Sequence, residues 1–151
     1  MISPEMDALD NIIDDFNWDN FREISNEISK INENSLMEDL TKIPAIYTQW
    51  HQLQARARRK YEDKNRELTR LSAELGRECQ AINASKGKKA TAKDMEYYID
   101  SNEDYNALGK ATSQLREIYE MVRAVVQAVS FKKDVLIQIN INNREETKLY
   151  N

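Results

Sequence analysis

Glycine, proline, histidine and cysteine are nearly absent from this chain, which has 3 Gly, 2 Pro, 1 His and 1 Cys in 151 residues. Gly and Pro fall far below their usual ~7% and ~5%. Strands, tight turns and Gly-rich loops need that punctuation, so an all-β or βαβ fold is excluded. One cysteine cannot build a Cys-rich zinc site or a disulfide framework. A single unpaired thiol also points to a reducing, intracellular compartment. The N-terminus is acidic where a secretory signal needs a positive segment, so no signal peptide is expected. The longest apolar runs, such as Val125-Val126 and Val135-Leu136-Ile137, are far short of the ~18 residues of a membrane span. What remains is a composition for long helices, with 32% charged and 40% hydrophobic residues.

The formal net charge of −4 argues naively against nucleic acid, but its distribution does not. Residues 1–40 hold 11 acidic and 2 basic residues, a net of −9. Residues 41–93 hold 5 acidic and 13 basic residues, a net of +8. Residues 94–151 hold 10 acidic and 7 basic residues, a net of −3. An acidic arm followed by a basic middle is the pattern of an interaction tail beside an anion-binding surface.

Apolar spacing organises the chain. Leu9, Ile12, Ile13 and Phe16, then Phe21, Ile24, Ile28 and Ile31, each mark one face of a short amphipathic helix. Asn17, Asp19 and Asn20 lie between them and can cap or break the helix. This arm reads either as a solvated, loosely docked segment or as a partner-binding, self-inhibitory one whose carboxylates compete with phosphate. Pro44 is expected in the first turn of the next helix, where a missing N–H costs nothing. From there Ile46, Trp50, Leu53, Ala57, Tyr61, Leu68, Leu71, Leu75, Cys79 and Ile82 recur mainly at 3 and 4, interrupted by Lys64. That is close to a coiled-coil seam. A continuous helix over that span would be about 55–60 Å long.

Residues 84–93 form the clearest loop, with Gly87 supplying flexibility and four lysines keeping it solvated. Thr91 or Asp94 can then cap a short helix holding Met95, Tyr98 and Ile99, and residues 100–104 read as a turn followed by helix-start signals. Leu108, Leu115, Val122, Val129 and Leu136 recur every seven residues, flanked by a column from Tyr105 to Lys133 and another from Ala111 to Ile139. Three columns are wider than a two-stranded seam requires. The extra width predicts packing on an intrachain partner and on neighbouring subunits through Leu115, Ile118, Val122, Val125, Val129 and Leu136. Asn140 to Asn143 and the charged end are expected to fray.

The fold expected is therefore all-α: a long antiparallel helical hairpin, coiled-coil-like, with a short acidic N-terminal helical arm, assembling into a homo-oligomer. The arm spans 1–40. The hairpin domain, with its basic central helix and loop and its C-terminal oligomerisation helix, spans 41–151.

The strongest chemical constellation is basic. Arg59, Arg66 and Arg70 line one helical stripe, and Arg56, Lys60 and Lys64 another, with Arg58 in the same basic run. Phosphates along a strand could meet such side chains in succession. The loop lysines Lys86, Lys88, Lys89 and Lys93 continue the positive region. The competing reading is a solvated coiled-coil face paired with Glu62, Asp63 and Glu67. Trp50 and Tyr61 fall on the seam and read as core, whereas Tyr97 beside Tyr98 must leave one ring free for base stacking. His51 has no metal-ligand partner, and Cys79 reads as a buried small hydrophobe. Adjacent carboxylates such as Asp14-Asp15, Glu62-Asp63 and Glu145-Glu146 diverge around a helix. No Walker loop, GxGxxG or nucleophile elbow is present. Catalytic residues, metal and cofactor are accordingly expected to be none.

The segment from Tyr47 to Ile139 resembles the UvsY-type recombination mediators of tailed phages. The resemblance is carried by Tyr47-Thr48-Gln49-Trp50 opening a basic helix, by the basic loop before Asp94-Met95, and by Ser101-Asn102-Glu103-Asp104. It continues through the heptad helix that ends Val129-Ser130-Phe131-Lys132-Lys133-Asp134-Val135-Leu136-Ile137-Gln138-Ile139. It implies a small helical protein in ring-like homo-oligomers that binds single-stranded DNA. Such a protein helps load a RecA-like recombinase onto strands covered by single-strand-binding protein, in the cytoplasm of the infected host cell and with no membrane. It further implies DNA contacts in the Arg56–Lys64 region and assembly through Leu115–Ile139. The acidic arm and the negative net charge depart from the family's pattern. The rival expectation is a coiled-coil structural or assembly protein, such as a phage scaffold or tail chaperone, without nucleic-acid binding.

Overall fold

A computed structural model describes residues 4–150, with side chains from Leu9 onward. Five α-helices are present among them: α1 (Pro4–Asp14), α2 (Trp18–Ser29), α3 (Leu36–Ser85), α4 (Ala92–Asp100) and α5 (Glu103–Leu149). A 3₁₀ turn, Glu33–Ser35, leads into α3, and the described residues contain no strand. The chain is all-α. No helix among the described residues is long and apolar enough to cross a membrane.

Caps set the boundaries. The Asn17 side-chain oxygen accepts from the backbone N–H of Asp19 (2.9 Å) and of Asn20 (3.0 Å). Asn20 returns the contact by accepting from the Asn17 N–H at 3.2 Å. This capping box satisfies three amides that the first turn of α2 cannot pair internally. At the far end of α3, Gly87 takes φ +68. Its N–H donates to the Ala84 carbonyl, and the Lys88 N–H donates to the Asn83 carbonyl, the Schellman pattern of helix termination. Gly87 therefore serves as a fixed left-handed cap, not as the source of flexibility expected from sequence.

Two further boundaries differ from expectation. Pro44 does not open a helix: α3 begins eight residues earlier and carries Pro44 inside it. A proline there leaves the Leu40 carbonyl without its amide donor, at a cost of ~3 kcal/mol against alanine. The first turns of α3 persist because they bury Leu36 and Ile43. At the other end Asn140 to Asn143 do not fray, since α5 continues to Leu149. Gln138 donates to Asn142, Thr147 donates to the Asn143 carbonyl, and Lys148 lies at the negative end of the helix dipole.

The chain forms two compact units. The first comprises Met1–Ala57 with Ile118–Asn151, and the second Arg58–Glu117. The acidic arm is thus no separate segment. In the first unit Ile13 and Phe16 enter a core with Leu36, Ile43, Leu53 and Ala57 of α3 and Met121, Val122, Val125, Val129 and Leu136 of α5. Each Val, Leu, Ile, Met or Phe side chain among them contributes about 1.5–3 kcal/mol when buried. The Phe16 ring meets Trp50 edge-on at 6.2 Å, and Trp50 packs half-buried against this core. The arm docks because its apolar face completes this core.

In the second unit Leu75, Cys79 and Thr112 are buried. The Thr112 hydroxyl donates to the Leu108 carbonyl at 2.8 Å, so this buried polar group is satisfied. Gly109 lies where an added Cβ would stand 4.0 Å from Leu68 Cδ1, so α5 passes closely over α3 in this unit. The second capping box, at α4, pairs Thr91 with Asp94.

Candidate nucleic-acid interface

The basic positions fall into three environments. Arg56, the first of them, belongs to the first unit and is engaged there. Its Nε donates to Asp10 Oδ1 at 2.6 Å and its Nη2 to Asp10 Oδ2 at 2.7 Å, with both side chains about four-fifths buried. A guanidinium clamped in this bidentate geometry is not available to phosphate. The expected role of Arg56 as a DNA contact is corrected to an internal tether for the arm. No sequence signal could have paired it with Asp10, 46 positions away.

The second group lies on α3 of the second unit and is matched by carboxylates on the same helix. Arg58 Nε donates to Glu62 at 2.7 Å, Lys64 donates to Glu67 at 3.1 Å, and Arg66 lies 3.5 Å from Asp63. These are exposed i,i+3 and i,i+4 pairs, worth a few tenths of a kcal/mol each. Water or phosphate can displace them. Lys60 is half-buried on this stretch.

The third group has no carboxylate within ion-pair distance among the described residues. It comprises Arg59 and Arg70 on α3 and Lys86, Lys88, Lys89 and Lys93 around the Gly87 turn. All six are exposed. Lys86, Lys88 and Lys89 follow the C-terminus of α3, where the helix dipole favours cations. Over the whole second unit, 13 basic residues meet 11 acidic ones, a net of +2. Residues 58–93 carry +6 of the +8 of residues 41–93, and residues 94–117 carry −4. Most of the positive charge of this unit is therefore offset within it, and the positive surface is local to these side chains.

Two tyrosines of α4 separate as the sequence required. Tyr98 turns inward, and its hydroxyl donates to Glu78 at 3.3 Å. Desolvation, helped by the Glu78 charge, pushes its phenol above the ordinary value. Tyr97 stays 78% exposed. Asp94 is held below its ordinary value by the Thr91 backbone N–H, then by the Thr91 hydroxyl and by Lys88 nearby. The N–H and hydroxyl bonds are both 2.8 Å. Cys79 is buried as expected, and exposed His51 meets Tyr47 edge-on at 5.5 Å. No group of three or more His, Cys, Asp or Glu residues able to hold a metal occurs among the described residues.

The positions expected to form an interface between copies are differently disposed. Val122, Val125, Val129 and Leu136 sit in the core of the first unit at 1% exposure or less. Ile118 packs half-buried against that core, and Leu115 is half-buried in the second unit. Copies could share the four buried side chains only by first opening this core. Among the described residues, the large apolar side chains that α5 leaves to solvent are Phe131, Ile137, Ile141 and Leu149.

No protein family, curated protein or solved structure matches the chain.

Proposed function

We infer that this chain is a non-enzymatic, single-stranded-DNA-binding recombination mediator. It helps load a RecA-like recombinase onto strands covered by single-strand-binding protein, in the cytoplasm of the infected host cell, as the resemblance to UvsY-type proteins implies. The observation that carries this reading is the third group of cations. Arg59, Arg70 and the lysines of the Gly87 turn are exposed and lack an ion-pair partner among the described residues. Arg58, Lys64 and Arg66 join them once phosphate displaces their weak on-helix carboxylates. The long helices α3 and α5 form an antiparallel hairpin that holds these side chains. Copies assemble into a ring-like homo-oligomer through apolar positions left exposed on α5, so that weak sites act together on one strand.

Salt titration with a labelled single-stranded oligonucleotide tests the reading. Log K falls linearly with log salt, with a slope of about −0.7 per phosphate neutralised. A flat slope, or no binding at low salt, overturns it.

A second reading is favoured by one observation, the pairing of Arg58, Lys64 and Arg66 with carboxylates of their own helix. That is the surface of a coiled-coil structural or assembly protein such as a phage scaffold or tail chaperone. Native mass measurement with and without oligonucleotide separates the two. A scaffold assembles identically in both samples and carries no DNA mass.

A further inference from the structure

The C-terminal end of α3 and the helix α4 enclose an open groove of about 510 Å³ within the second unit. Its apolar surfaces are Ile82, 42% exposed, and the ring of Tyr97. Consecutive residues of a helix are turned about 100° apart, so with Tyr98 packed inward the Tyr97 ring faces water. Folding leaves that flat apolar face unused. Asn83 gives the groove a polar edge. Its side-chain amide donates only to the Cys79 sulfur at 3.7 Å, a weak acceptor, and its oxygen has no partner among the described residues. Lys86 and Lys93 stand on the lining with no carboxylate at ion-pair distance among the described residues. Asp94, also on the lining, is committed to the Thr91 cap.

A planar apolar face, an amide edge and two cations are what a nucleotide offers partners for: a base to stack, polar base atoms to bond and flanking phosphates to neutralise. We propose that this groove holds one nucleobase of a single-stranded nucleic acid, stacked on Tyr97, with Lys86 and Lys93 on the adjoining phosphates. The inference rests on the nucleic-acid reading above and deepens it by assigning a base-binding subsite. It also supplies strand selectivity. In a duplex both faces of each base are already stacked, so Tyr97 gains nothing there, while the lysines still meet phosphate.

The test compares the full chain with Tyr97→Leu and Tyr97→Phe, each against a thymidine oligonucleotide and an abasic oligonucleotide of equal length. Tyr97→Leu weakens binding of the thymidine strand by about 5- to 150-fold, the range of one lost base stack. Tyr97→Phe binds like the parent chain. The abasic strand binds all three proteins alike, and the salt slope is the same in every case because no phosphate contact has changed. Since Tyr97 is exposed, helicity by circular dichroism stays constant across the series. Equal affinity of the parent chain and Tyr97→Leu for the thymidine strand overturns the base subsite while leaving the nucleic-acid reading intact. Failure of the parent chain to bind either oligonucleotide at low salt overturns both.

Discussion

Asp10 and Arg56 form a two-pronged ion pair, 2.6 and 2.7 Å long, that ties α1 to α3 in a partly buried setting. The arm is therefore held by more than its apolar face, and this bidentate contact with α3 takes an arginine out of the basic series.

Removing one partner leaves a charge that is mostly shielded from water. In a double-mutant cycle of Asp10→Asn and Arg56→Gln, the coupling energy from urea unfolding comes to about 0.5–3 kcal/mol. Asp10→Asn also strengthens single-strand binding at low salt, because a neutral amide competes poorly with phosphate for the guanidinium. Unchanged affinity would mean that Arg56 does not reach phosphate even when Asp10 no longer holds it. The point substitution is cleaner than deleting residues 1–40, which would strip Ile13, Phe16 and Leu36 from the core.

Val122 is 1% exposed in the core of the first unit, so Val122→Asp places an uncompensated carboxylate there. The expected loss is about 3–5 kcal/mol, read as a large drop in urea midpoint. Phe131 is 71% exposed. Phe131→Asp leaves the midpoint within the ~0.5 kcal/mol typical of surface changes, while native mass shifts to smaller assemblies. Loss of fold in Phe131→Asp, or its absence in Val122→Asp, would reverse these assignments.

Pro44 is exposed and interior to α3. Pro44→Ala restores the amide donor to the Leu40 carbonyl and relieves the ring's clash with the preceding turn. Part of that gain is returned through the freer unfolded chain. A net stabilisation of about 1–3 kcal/mol is expected by chemical denaturation. A destabilised variant would mean that the proline ring itself is required where it stands.

The Asp94 carboxyl should titrate below its ordinary 3.8. A carboxyl with a lowered folded value contributes stability that is fully present above the unfolded value and is lost as pH falls through the folded one. Amide exchange in the first turn of α4 therefore accelerates in acid below that midpoint. In Thr91→Val the NMR midpoint of Asp94 rises part of the way toward 3.8, because the backbone N–H bond survives while the hydroxyl bond is gone. No movement would show that the hydroxyl has no share in the cap.

Much of the local structure could be read directly. Seven-residue spacing located the inward face of α5: Val122, Val129 and Leu136 are buried. Asn17 and Thr91 capped the helices that their sequence neighbourhoods announced. Pro44 misled because a proline's preference for a first turn is local, whereas the apolar face from Leu36 onward gains its energy from α1, α2 and α5 together. The basic site was legible as a composition and not as a surface. Spacing placed Arg56 in a stripe with Lys60 and Lys64, but only folding set Asp10 against it.

By itself the sequence determined that this protein is helical, that its helices are long, and which faces turn inward. The scarcity of glycine and proline and the 3-and-4 spacing of apolar residues are local properties, and helices are built from local hydrogen bonds. Tertiary structure decided what those faces meet. It drew the acidic arm into the core, buried Val122, Val125, Val129 and Leu136 within the first unit, and left Tyr97 bare beside two lysines. Those outcomes depend on residues dozens of positions apart competing for the same apolar surface, a contest that no spacing along one helix records.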